Sequence, residues 1–121
     1  MLIAYWIVAG LLALFYLYSG GSKLLQSRER LQPMMHWVER APMAGVRTIG
    51  ALEVLAAIGL IVPPLTGIAP WLALAAAVGL VLLQIGAIAL HLVRGEARQL
   101  GINIGALVAA AVTIWLATVW L

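Results

Sequence analysis

Tyr16, Lys23, Arg47, Glu53, Gln84, His91 and Asn103 are polar side chains set within, or at the ends of, long apolar runs. Glu53 is the most demanding of them. It stands inside the run from Arg47 to Pro64, RTIGALEVLAAIGLIVPP, where Arg47 marks a water boundary. At helical rise the acid is roughly 9 Å deeper than Arg47. A carboxylate at that depth is costly to insert in a membrane, which makes it a functional candidate by default. Its own helix face carries Val46, Ile49, Gly50, Ala57 and Leu60. Gly50 and Ala57 are small, so another helix can approach the acid closely.

The chemistry available to this set is acid–base and hydrogen-bonding chemistry. The imidazole of a histidine such as His91 can accept a proton on one nitrogen and release one from the other. Lys23 and Asn103 can donate hydrogen bonds to a carbonyl or an anion. We take Glu53, His91 and Lys23 as the candidate catalytic residues, and Tyr16, Arg47, Gln84 and Asn103 as candidate ligand-binding residues. The competing structural reading is that these groups satisfy one another and lock helices together. For Glu53 the expected partners are, in order, Lys23, His91 and Asn103. Lys23 comes first because it ends the neighbouring helix at similar depth with the opposite charge.

The elements that position these residues follow from composition. Of 121 residues, 65% are hydrophobic and 9% charged. A soluble domain of this size could not cover such a surface, so the bilayer is the solvent. A membrane-spanning helix needs roughly 20 apolar residues. Four segments qualify, at about 2–25, 45–62, 69–93 and 100–121. They predict an all-α fold, an integral membrane four-helix bundle forming a single transmembrane domain over 1–121. The first segment lacks a basic stretch before it and is expected to be a retained helix rather than a signal peptide. Pro63 and Pro64 should end the second helix, and Pro70 should open the third. Tyr5, Trp6, Trp115 and Trp120 are expected at one interface.

Every loop Lys and Arg falls in the first or third connection, around Arg28, Arg30 and Arg40 and around Arg94 and Arg98. The positive-inside rule places those connections in the cytoplasm and both termini outside, in a multi-pass protein of the cell (inner) membrane. Lys23, Glu53, His91 and Asn103 then lie at similar depth, roughly 5–10 Å below the cytoplasmic interface. Tyr16 and Gln84 lie deeper. Gln84 and His91 share one helix face, expected to line the bundle interior. Ile-Gly-Ala-Leu occurs at 49–52 and again at 104–107, a faint internal echo in which Val108 stands where Glu53 does. Gly101 and Gly105 form a small-xxx-small pattern suited to close helix packing.

Several classes are excluded. The chain has no cysteine, hence no disulfide, thiolate metal site or thiol redox chemistry of its own. No nucleic-acid module, phosphate loop or hydrolase motif is present. His36 and Glu39 have metal-ligand spacing in the 26–44 connection, but two ligands do not make a site, and no metal is expected. That connection, with Met34, Met35, Trp37 and Val38 between two prolines, could form a short interfacial helix.

GGSK at Gly20 to Lys23, RTIGALEVLAAIGLIVP from Arg47 to Pro63, and His91 near the end of the third helix together resemble the DoxX-like family of small four-helix membrane proteins. The resemblance implies a four-helix bundle with Lys23, Glu53 and His91 as shared polar positions. Some members of that family are linked to thiosulfate:quinone oxidoreduction or oxidative-stress complexes, and more distant ones look like assembly chaperones. The leading expectation is a polar pocket near the cytoplasmic side that binds a small apolar or quinone-like ligand, as part of a membrane oxidoreductase. The alternatives are a partner-binding or assembly protein without chemistry, and a small proton-coupled exporter. Expected partners are the lipid bilayer, the small apolar ligand, and a membrane partner protein or a second copy of the chain; nucleic acid is not among them. Whether the chain is an enzyme is left open by its residues.

Overall fold

In a bilayer core, backbone polar groups must find partners within the chain, and an apolar segment does this by forming a helix. The computed structural model describes residues 2–26, 43–93, 95 and 100–121. It shows α1 (Leu2–Leu25), α2 (Met43–Thr66), α3 (Leu72–Val93) and α4 (Leu100–Ala117), followed by a 3-10 turn at Thr118–Trp120. All four are long and apolar enough to cross a membrane, the last span reaching Trp120. The protein is a multi-pass integral membrane four-helix bundle. The interfacial helix expected in 26–44 and the His36–Glu39 pair lie outside the described residues.

The helices form a ring in chain order. Each packs on its sequence neighbour and α4 closes onto α1. The α1–α2 pair has the most extensive contact, and α1–α4 the least of the four adjacent pairs. The inward face of each helix follows a spacing of three and four residues. On α1 it runs Tyr5, Ala9, Leu12, Tyr16, Gly20, Lys23; on α2, Val46, Gly50, Glu53, Ala57, Leu60, Pro64. On α3 it runs Ala73, Ala77, Leu80, Gln84 and, further on, His91. Alanine is common along these stripes, whereas large aliphatic side chains such as Leu11, Leu14, Leu55 and Leu82 face outward. That is the arrangement expected where lipid, not water, surrounds the bundle: tight packing between helices replaces hydrophobic burial as the driving force.

Two expectations change at the end of the bundle that carries both chain termini. The second helix does not stop at Val62 but continues through Pro63 and Pro64 to Thr66. A proline in a helix leaves the carbonyl four residues earlier without its N–H partner. For Pro64 that carbonyl is Leu60, and the Tyr5 hydroxyl donates to it at 2.6 Å. Tyr5 therefore turns into the bundle rather than toward lipid. It is fully buried, with its ring edge-on to Trp6 and Trp120 at 5.5 and 5.3 Å. Gly67, with a left-handed φ of 74°, ends α2 as its N–H donates to the Pro63 carbonyl at 3.0 Å. The third helix begins at Leu72, after Pro70 rather than on it.

Candidate functional site

At Gly20 and Gly50 the backbones of α1 and α2 come close together. A Cβ added to Gly20 would lie 2.6 Å from the Gly50 carbonyl oxygen, and one added to Gly50 would lie 2.8 Å from that of Gly20. Only residues without side chains allow this approach. The crossing sets Glu53 of α2 beside Gly20 and Lys23 of α1 beside Gly50, and the two side chains meet across it. The Lys23 ammonium donates to Glu53 Oε1 in a buried ion pair, and to Ser19 Oγ at 3.0 Å. Lys23 and Glu53 are only 7% and 3% exposed. Removing lysine and glutamate from water is costly, and their mutual attraction with the added hydroxyl contact offsets much of it. The expected first partner of Glu53 is the one observed.

These side chains line one wall of a cavity of about 450 Å³, within the usual range for small-molecule sites. Tyr16 and Ser19 continue the α1 wall, Gln84 and His91 come from α3, and Asn103 comes from α4. Gln84 and His91 are both buried on the inward face, as their shared face implies. The Gln84 amide nitrogen donates to the Tyr16 hydroxyl oxygen, tying α3 to α1 across the ring. Glu53 Oε2 and Gln84 Oε1 are buried and have no hydrogen-bond partner among the described residues. Buried acceptors left in that state are costly, and any hydrogen-bond donor entering the cavity would relieve that cost.

Arg47 is not brought to this cavity. From the first turns of α2, its guanidinium donates to the carbonyl of Lys23 and, at 2.7 Å, to that of Gln26. The last carbonyls of a helix have no partners within it and form the negative end of its dipole, so an arginine serves there as a cap. Arg47 thus stitches the end of α1 to the start of α2. Sequence reasoning had no reason to prefer this over ligand contact, because both uses need only a cation at the membrane boundary. It also missed Phe15 and Ile102, apolar residues that border the cavity. Neither stands out in helices that are apolar on every face. Ser19 stands four residues before Lys23, on the same helix face.

Among the described residues, no group of histidines and carboxylates is arranged to hold a metal ion. The arrangement can do two things. It can hold a polar group by hydrogen bonds inside an apolar wall, and it can exchange a proton with that group through a carboxylate or an imidazole.

Fold and site together define a small four-helix membrane protein with a buried ion pair at the wall of an intramembrane cavity. The chain belongs to the DoxX-like family, whose model matches residues 7–114. No curated protein and no solved structure matches it.

Proposed function

We propose that the protein is a membrane-embedded binding module for a small apolar, quinone-like ligand, working as a component of a membrane oxidoreductase in the inner membrane. The observation that carries this is the half-used carboxylate of Glu53. One oxygen holds Lys23, and the other lacks a donor in the same cavity as Gln84 Oε1 and His91. A ligand's polar end would meet Lys23, Glu53 and His91, with Tyr16, Gln84 and Asn103 around it. Its ring would rest on the apolar wall of Phe15, Leu83 and Leu90. The chain's own part is to bind, orient and exchange a proton. With no cysteine, thiol redox chemistry would belong to a partner subunit.

Charge placement supports a single transmembrane domain with the cavity toward the cytoplasm and both termini outside. A cysteine replacing Thr66 is expected to react with an impermeant thiol reagent only from the outside; labelling only from the cytoplasm reverses the orientation.

Binding is tested with a decyl-tailed benzoquinone in oxidised and reduced forms, titrated into detergent-solubilised protein. The doubly neutral variant Lys23→Met, Glu53→Gln leaves no buried charge alone. It should keep its helicity and thermal transition while losing both forms by roughly tenfold or more in Kd. If this variant binds like the parent, Glu53 is a packing residue, and the assembly-protein reading replaces this one.

A further inference from the structure

A second cavity lies along the weakest seam of the ring. It is a groove of about 540 Å³ between α1 and α4, lined among others by Val8, Leu11 and Leu12 on one side and Gly105, Val108 and Val112 on the other. Phe15 and Ile102 line this groove and also line the polar cavity. The two spaces therefore meet at that pair of side chains. From Ile102 to Val112 the groove runs roughly 15 Å along α4 at helical rise. Gly105 and Val108 are exposed, so the groove faces the bilayer. Gly105 does not pack closely as its small-xxx-small spacing suggests: a Cβ added there meets no atom within 4 Å.

The two buried groups without partners in the polar cavity are both acceptors, Glu53 Oε2 on α2 and Gln84 Oε1 on α3. A head group that satisfies them must bring hydrogens. A quinone carbonyl has none to give; a hydroquinone has two hydroxyls. We infer that the site takes the hydroxyl-bearing form of a tailed amphiphile, a hydroquinone with an alkyl or isoprenoid chain. It enters sideways from the bilayer between α1 and α4, past Phe15 and Ile102, and leaves its tail in the groove. This rests on the proposed function and adds to it the redox form bound, the route of entry and the place of the tail. The tail gains little affinity in the groove, since lipid is equally apolar. What the groove supplies is passage and room for a chain attached to a head that has moved inside.

Three compounds separate these points, titrated anaerobically into detergent-solubilised protein: a decyl-tailed hydroquinone, its tail-less methyl analogue, and the matched decyl-tailed quinone. Two hydrogen bonds to buried acceptors, one of them charged, should favour the decyl hydroquinone over the quinone by roughly tenfold or more. Gly105→Leu puts a side chain into the groove where there is space for one. It should weaken the decyl hydroquinone by about tenfold and leave the tail-less analogue within about twofold. Val108→Phe, further along the groove, should do the same, and matching thermal transitions establish that both variants fold. Equal or tighter binding of the quinone overturns the hydroxyl-bearing ligand. If both variants affect tailed and tail-less compounds alike, or affect neither, the groove is a lipid-filled seam and the doorway is overturned; the proposed function survives either result. If none of the three compounds binds the parent protein, the proposed function falls, and this inference with it.

Discussion

Helices α2 and α4 both pack against α1, and both carry Ile-Gly-Ala-Leu near their starts, at 49–52 and 104–107. On α2 the glycine of that motif meets Gly20 so closely that neither can carry a side chain without displacing backbone. On α4 the corresponding glycine, Gly105, opens onto a groove. The motif is the same; what stands across from it is not. Gly50 meets another glycine, and the residue after its motif, Glu53, reaches Lys23. On the α1 side of the other seam stand Val8, Leu11, Leu12 and Phe15, and the residue after the motif is Val108. Small residues permit close approach, but a matching small surface and a polar tie decide whether it happens. Arg47 adds a second tie at the α1–α2 seam by capping the end of α1.

The largest test of this difference is the ion pair. Lys23→Met or Glu53→Gln alone leaves a buried partner uncompensated and should cost about 3–5 kcal/mol. The double change should cost clearly less than the sum of the two. Val108→Ala, at the echo position on α4, should stay within about 0.5 kcal/mol. Thermal unfolding in detergent measures all four variants. Strictly additive losses for Lys23 and Glu53 would mean that the pair does not hold the seam.

A smaller effect is expected at the glycines. Gly20→Ala forces a methyl group against the Gly50 carbonyl and Val54, and should destabilise by about 1–3 kcal/mol. Gly105→Ala meets nothing and should be neutral, or stabilising by up to about 1 kcal/mol through helix propensity. Equal losses at the two positions would break the comparison, since they would require a close α1–α4 contact.

The smallest effect concerns the far end of the α1–α2 seam. Tyr5→Phe removes the donor to the Leu60 carbonyl and should cost about 1 kcal/mol. In a Pro64→Ala background the helix can supply its own N–H to that carbonyl, so the same change should cost less. An unchanged penalty would show that Tyr5 contributes through packing with Trp6 and Trp120, not through the carbonyl left open by the proline.

The four helices were legible from residue type and run length alone, because a bilayer admits no other backbone solution for such a sequence. So was the layer of polar residues, and so was the choice of Lys23 as partner for Glu53. Depth along each helix follows from counting residues, and opposite charges at one depth in a small bundle have few other places to go. Tertiary structure alone decided the rest. Arg47 turned to the end of α1, Tyr5 turned inward to a buried carbonyl, α2 ran on through two prolines, and Phe15 with Ile102 came to stand between groove and cavity. The physical reason is common to all of these. Helices that are apolar on every face give no hydrophobic signal for which side turns inward. Once they associate, neighbouring helices choose the partners of caps, freed carbonyls and apolar side chains. Only the costly buried charges announce their positions in advance.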